Sequence, residues 1–97
     1  MTVYDFMDAV RMTAVFRGRV QGVGFRFHAQ KFAEQHGVTG WIRNTEEGTV
    51  EAVFEGEDGA VRSILEYCTK SIRAARVASV SVARAEFTGE FSSFSIR

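Results

Sequence analysis

The run Gly18-Arg19-Val20-Gln21-Gly22-Val23-Gly24-Phe25-Arg26 sets a glycine-rich turn between an alternating stretch and a helical one, and ends on an arginine where the helix begins. That arrangement suits a small anion. Gly22 and Gly24 can take positive φ and bring the backbone close to a ligand with no Cβ in the way. Amides at a helix start lack intrahelical acceptors and carry the positive end of the macrodipole, so a phosphate there meets several fixed donors at once. Arg26 adds a permanent charge and a planar fork that takes two phosphate oxygens together.

Other chemical constellations are scarce. The sequence has no Gly-Lys-Ser/Thr to complete a P-loop, no His-Glu-x-x-His, and no cysteine spacing that would hold zinc. His28 and His36 read as solvated or partly packed helix residues. Asn44 closes Gly40-Trp41-Ile42-Arg43-Asn44 just ahead of a polar loop. A neutral amide there can accept from a water and donate to a reacting oxygen. On spacing alone a plain turn role is the stronger reading, because asparagine favours turns for backbone reasons.

The elements that must position these residues follow from periodicity. From Met12 to Val20 the residues Met12, Ala14, Phe16, Gly18 and Val20 alternate with Thr13, Val15, Arg17 and Arg19, which predicts a strand with one core face. Phe25, Ala29, Phe32 and Ala33 share one helical face and Gly37 supplies a stop, so a helix is expected over about Phe25 to His36. Val38 to Asn44 and Thr49 to Glu55 read as two strands of a hairpin joined by Thr45-Glu46-Glu47-Gly48. Asp58 offers an N-cap to a second helix in which Val61, Ile64, Leu65, Cys68 and Ile72 repeat at helical spacing. Val77 to Ala85 is the next strand, and Phe94 and Ile96 mark a short closing one. The order βαββαβ predicts an α+β, ferredoxin-like sandwich, with an antiparallel sheet of four to five strands and two helices on one face.

Composition narrows the class. The 97 residues form one domain's length, read as an N-terminal extension over 1–11, with disorder one option for it, and a single domain over 12–97. Twelve basic and twelve acidic residues give a formal charge of zero, against a nucleic-acid binder that relies on bulk phosphate neutralisation. The lone Cys68 has no partner for an internal disulfide, no apolar run approaches a membrane span, and Asp5 and Asp8 stand where a signal peptide would be basic or apolar. A cytoplasmic monomer is the expectation. Trp41 and the phenylalanines are expected in the core or packed on the sheet, and Arg17, Arg19 and Arg43 on solvated strand faces.

Taken together, Gly18 to Arg26, Gly40-Trp41-Ile42-Arg43-Asn44-Thr45, Gly48-Thr49-Val50-Glu51 and the final Phe94-Ser95-Ile96-Arg97 resemble the acylphosphatases from about Thr13 onward. The resemblance implies a small hydrolase, free of metal and of other cofactors, that cleaves acyl phosphates to a carboxylate and inorganic phosphate. It makes Arg26 the phosphate-binding arginine and Asn44 the water-positioning asparagine. The loop residues Gln21, Gly22, Val23, Gly24 and Phe25 complete the phosphate site through their amides. The acyl end is expected largely in water, with little selectivity for it. Two departures from the family pattern stand out: Glu57 follows Gly56 where a proline is frequent, and Lys70-Ser71-Ile72-Arg73-Ala74-Ala75 replaces a link often rich in glycine and proline.

Two rivals share the element order. Gly22-Val23-Gly24-Phe25-Arg26-Phe27 partly imitates an RNA-recognition strand, whose aromatics stack bases on an open sheet. Here the run enters a helix after the first strand, so its aromatics are expected in the core. A related domain opens the carbamoyl-transferring factors that mature certain hydrogenases, where it could serve as a docking module. A chain ending at Arg97 favours a free-standing enzyme.

Overall fold

Alternate burial along Ala9–Arg19 builds the first strand, β1: Val10, Met12, Ala14 and Phe16 are buried and their neighbours are not. The computed structural model in which this is seen describes residues 8–97. β1 starts at Ala9, three residues before the expected Met12, because Val10 continues the alternation into the core. The assignment of the rest of the extension, residues 1–7, lies outside the described residues.

The first helix, α1, spans Phe25–His36 as the pattern predicts. Gly24 (φ 75°) and Gly37 (φ 70°) bound it in left-handed conformation, and Val38 N–H donates to Ala33 O at 2.9 Å to close its C-terminal end. The chain continues as β2 (Thr39–Asn44), β3 (Val50–Glu57), α2 (Asp58–Lys70), β4 (Arg76–Glu86) and β5 (Phe94–Ile96).

The five strands form one sheet in the order β4-β1-β3-β2-β5. The pairs β1–β3, β1–β4 and β2–β3 are antiparallel, whereas β5 lies parallel to β2 with Ile96 opposite Ile42. The expected α+β sandwich is therefore present, with a mixed rather than wholly antiparallel sheet. The core sits between sheet and helices: Phe16, Ile42, Val50 and Phe54 from the strands meet Phe25, Ala29 and Ala33 of α1 and Val61, Ile64 and Cys68 of α2.

Two local features differ from the sequence expectation. The N-cap of α2 is Glu57, not Asp58: its carboxylate accepts from the N–H groups of Gly59 (3.1 Å) and Ala60 (3.3 Å). Asp58 instead becomes the first helical residue and pairs with Arg62 one turn on. The edge strand β4 runs one residue further at each end than the expected Val77 to Ala85 and is exposed along most of its length, with Val82 48% exposed.

On the face away from the helices, Glu55 is a fully buried carboxylate. It accepts from the Thr88 hydroxyl (2.7 Å), Thr88 N–H (3.0 Å), Gly89 N–H (3.0 Å) and Arg11 (3.1 Å). Burial pushes its pKa up, but these bonds more than offset that and hold it below the usual carboxylate value. The connection between β4 and β5 is thus pinned to the middle of the sheet by one side chain.

Candidate active site

The site is assembled where β1 hands over to α1. Gly22 (φ 72°) and Gly24 (φ 75°) both take the left-handed conformation that admits glycine without strain. An alanine Cβ at Gly22 would meet nothing within 4 Å, so its glycine is required by conformation and not by crowding. No side chain caps α1 at Gly24, which leaves the amides of the first turn free of a side-chain acceptor.

Arg26, half-buried, follows at the second position of α1. Among the described residues no carboxylate pairs with it. A guanidinium held in a cleft without an internal counter-ion is suited to an external anion.

Asn44 comes from a different part of the chain, the last residue of β2, opposite Val50 of β3. Its Oδ1 is buried and is the one buried side-chain polar atom among the described residues without a hydrogen-bond partner in the protein. Such an atom carries a desolvation cost of about 1–3 kcal/mol unless a water or ligand donates to it. The orphan therefore marks a place built for a donor.

The structure brings Arg26 and Asn44 together. Both line one cleft of about 170 Å³, with Val20, Gly22, Gly24, Phe25, Phe27 and Ile96. That volume is below the roughly 300–1,000 Å³ of pockets that enclose drug-sized ligands, so a phosphoryl group fits better than a nucleotide. Of the loop residues expected to bind phosphate, Gly22, Gly24 and Phe25 line the cleft; Gln21 and Val23 do not.

Gln21 has another place. Its side-chain Nε2 donates to the carbonyls of Thr45 and Thr49, each at 2.9 Å. Those residues open and close the β2–β3 turn, which is further tied by Thr45 N–H to Thr49 O (2.9 Å) and by a contact of 2.6 Å between their hydroxyls. The loop that precedes Arg26 thus holds the turn that follows Asn44. Sequence reasoning gave Gln21 only a backbone role, since nothing local shows how far its amide reaches.

The aromatics of the run part ways. Phe25 is buried, its ring 5.0 Å from that of Phe16, as a helix-entering residue should be and as a base-stacking one should not. Phe27, expected to pack, is 52% exposed at the cleft. Two positions along a helix turn a side chain through about 200°, which takes Phe27 away from the buried face of Phe25, Ala29 and Ala33. His28 and His36 are both exposed, in line with their plain reading. Trp41 lies half-buried on the sheet with the guanidinium groups of Arg97 and Arg43 at 5.0 and 5.9 Å from its ring centre. No helix among the described residues is long and apolar enough to cross a membrane.

Comparison with known proteins points to one family. The family model described as Acylphosphatase matches residues 12–96. An acylphosphatase of Roseiflexus sp. (strain RS-1) is 48% identical, over 93% of this chain and 97% of its own length. The crystal structure of acylphosphatase from Bacillus subtilis superposes with a TM-score of 0.86 at 32% identity, covering 91% of this chain and 98% of that one. An acylphosphatase structure from Coxiella burnetii gives 0.87 at 30% identity, with coverages of 94% and 95%.

Proposed function

The chain belongs to the acylphosphatase family, enzymes that hydrolyse acyl phosphates, and from that premise we propose that the cleft shared by Arg26 and Asn44 is where it does so. Arg26 and the amides of the loop from Gln21 to Phe25 hold the phosphoryl oxygens. Asn44 accepts a hydrogen bond from the attacking water and fixes its line of approach. The observation that carries this reading is that Asn44, whose buried Oδ1 has no hydrogen-bond partner among the described residues, lines the same cleft as Arg26, which pairs with no carboxylate among them.

So sparse a site is sufficient. Water attacks phosphorus, the bond from phosphorus to the bridging oxygen breaks, and that oxygen leaves as a carboxylate. A carboxylate whose acid has a pKa of about 4.3 departs without a strong general acid. What remains is to hold reactants in line and to stabilise charge on the equatorial oxygens, the work of Asn44 and of Arg26 with the amides. Asparagine is a poor base, so the water's proton passes to a phosphate oxygen of the substrate. The reaction as proposed is written without metal. One chain supplies both sides of the cleft, which fits a monomer, and a single buried thiol fits a reducing cytoplasm.

The test is steady-state hydrolysis of benzoyl phosphate, with a chelator present, by wild type beside Arg26 and Asn44 variants. Catalytic phosphate release by wild type and its loss in both variants is expected. Full activity in either variant sinks the assignment of that residue.

A further inference from the structure

Among the described residues three large hydrophobic side chains stand exposed: Phe27 at 52%, Val82 at 48% and Ile96 at 39%. Phe27 and Ile96 line the cleft of Arg26 and Asn44. An apolar wall beside a phosphate site has no use for the phosphoryl group itself, which is fully charged and already met by donors. It has a use for whatever is attached to the phosphate.

Phe27 is also held in place. Its ring lies edge-on to that of His28 with centres 5.7 Å apart, and the Lys31 ammonium sits 5.5 Å from its centre. The half-open aromatic surface at the cleft is therefore a fixed wall, and covering it costs little side-chain freedom. Ile96, in contrast, lies on β5 beside β2, the strand that brings Asn44.

Placement in the fold decides between them. Ile96 stands on β5, beside the strand that brings Asn44, whereas Phe27 stands on α1 and is the more exposed of the two. An in-line leaving group departs on the side of phosphorus away from the attacking water, which favours the wall that is not carried by the neighbour of Asn44's strand. Resting on the acyl phosphate reading above, we propose that Phe27 is a specificity-determining residue whose ring receives the acyl group, so that the enzyme prefers acyl phosphates with an aromatic or extended alkyl acyl part over acetyl phosphate. The acyl end is then not left wholly in water.

The experiment compares kcat/KM for benzoyl, octanoyl and acetyl phosphate in wild type, Phe27→Ala and Phe27→Leu, with inhibition by inorganic phosphate measured alongside. Wild type should favour benzoyl and octanoyl phosphate. Losing about 50 Å² of apolar contact corresponds to about a five- to tenfold fall in the benzoyl-to-acetyl ratio for Phe27→Ala, and Phe27→Leu should recover part of it. The ratio is internal to each variant, so partial loss of folded protein does not move it. Inhibition by inorganic phosphate, which has no acyl group, should be the same in all three. An unchanged ratio in Phe27→Ala, or no preference in wild type, overturns the role of Phe27 while leaving acyl phosphate hydrolysis standing. Absence of hydrolysis of all three substrates by wild type overturns the underlying reading, and this one with it.

Discussion

Gln21 Nε2 lies 2.9 Å from the carbonyl oxygen of Thr45, so the residue next to Asn44 hangs from the loop that leads into Arg26. The two sides of the cleft, brought by distant parts of the chain, are set relative to one another by that amide and its second bond to Thr49. Gln21→Ala removes both bonds and frees the turn. Misplacement by about an ångström costs roughly a hundredfold in rate, so kcat should fall by about ten- to a hundredfold. KM should change less, because the substitution removes only the side chain, which bonds the turn, and leaves the backbone amide in place. A KM rise with kcat intact would show that the clasp does not position Asn44.

Asn44→Ala separates activity from stability. On the proposed mechanism the lost group holds the attacking water, and its Oδ1 bonds no protein atom among the described residues, so kcat should drop about a hundredfold or more while inhibition by inorganic phosphate stays close to wild type. Removing a buried polar atom that lacks a protein partner should leave the melting temperature unchanged or raise it. A large fall in Tm would mean that Asn44 is chiefly a structural turn residue.

Arg26→Lys keeps the charge and loses the fork. Both substrate binding and turnover should suffer, with kcat/KM for benzoyl phosphate down by about 2 to 4 kcal/mol of transition-state stabilisation. Because no carboxylate among the described residues pairs with Arg26, the fold should tolerate the change. Equal Tm with lost activity is the expected pair of readings.

Much of this was legible beforehand. The bounds of α1 followed from Phe25, Ala29 and Ala33 on one face and a glycine at either end, all local signals. Arg26 and Asn44 were singled out by motif, yet only the tertiary fold makes them neighbours. The parallel placement of β5 was not readable, because three residues are too few for a periodic signal and their partner lies far back in the chain. Glu57 is not legible as a cap, because glutamate is not among the favoured capping residues. Residue type alone places Phe27 inside, whereas the helical angle from Phe25 places it outside, as observed.

Glu55 makes stability depend on acid. Its pKa is held below the ordinary 4.5 in the folded protein, so its contribution is complete above that value and is lost as pH falls through the lower, folded one. Glu55→Gln keeps one acceptor oxygen and puts an NH₂ in place of the other, facing either Gly89 N–H or the Thr88 and Arg11 donors, and should cost about 1–3 kcal/mol at neutral pH. For a chain of this size that lowers Tm by about 4–8 °C per kcal/mol. The gap between wild type and variant in urea melts should narrow on acidification from pH 7 to pH 3; a gap that stays constant would assign the loss to packing alone.

Cys68 should be silent to reagents. It is buried in the core, and desolvation pushes its thiol up to about 12, far from the thiolate needed for reaction. A disulfide reagent at pH 8 should label it only after denaturant is added. Rapid labelling of the native protein would contradict its burial.

The strand order β4-β1-β3-β2-β5 has a kinetic meaning. Only β2 and β3 are neighbours both in sequence and in the sheet, so every other pairing must close a long loop before it gains anything, which sets folding towards the slow end for a domain of this size. The sequence has no proline, so the delay has no isomerisation component. Refolding should be a single slow exponential, and because Arg26 and Asn44 meet only once that search has ended, catalytic activity should return with the same rate constant as the fluorescence of Trp41.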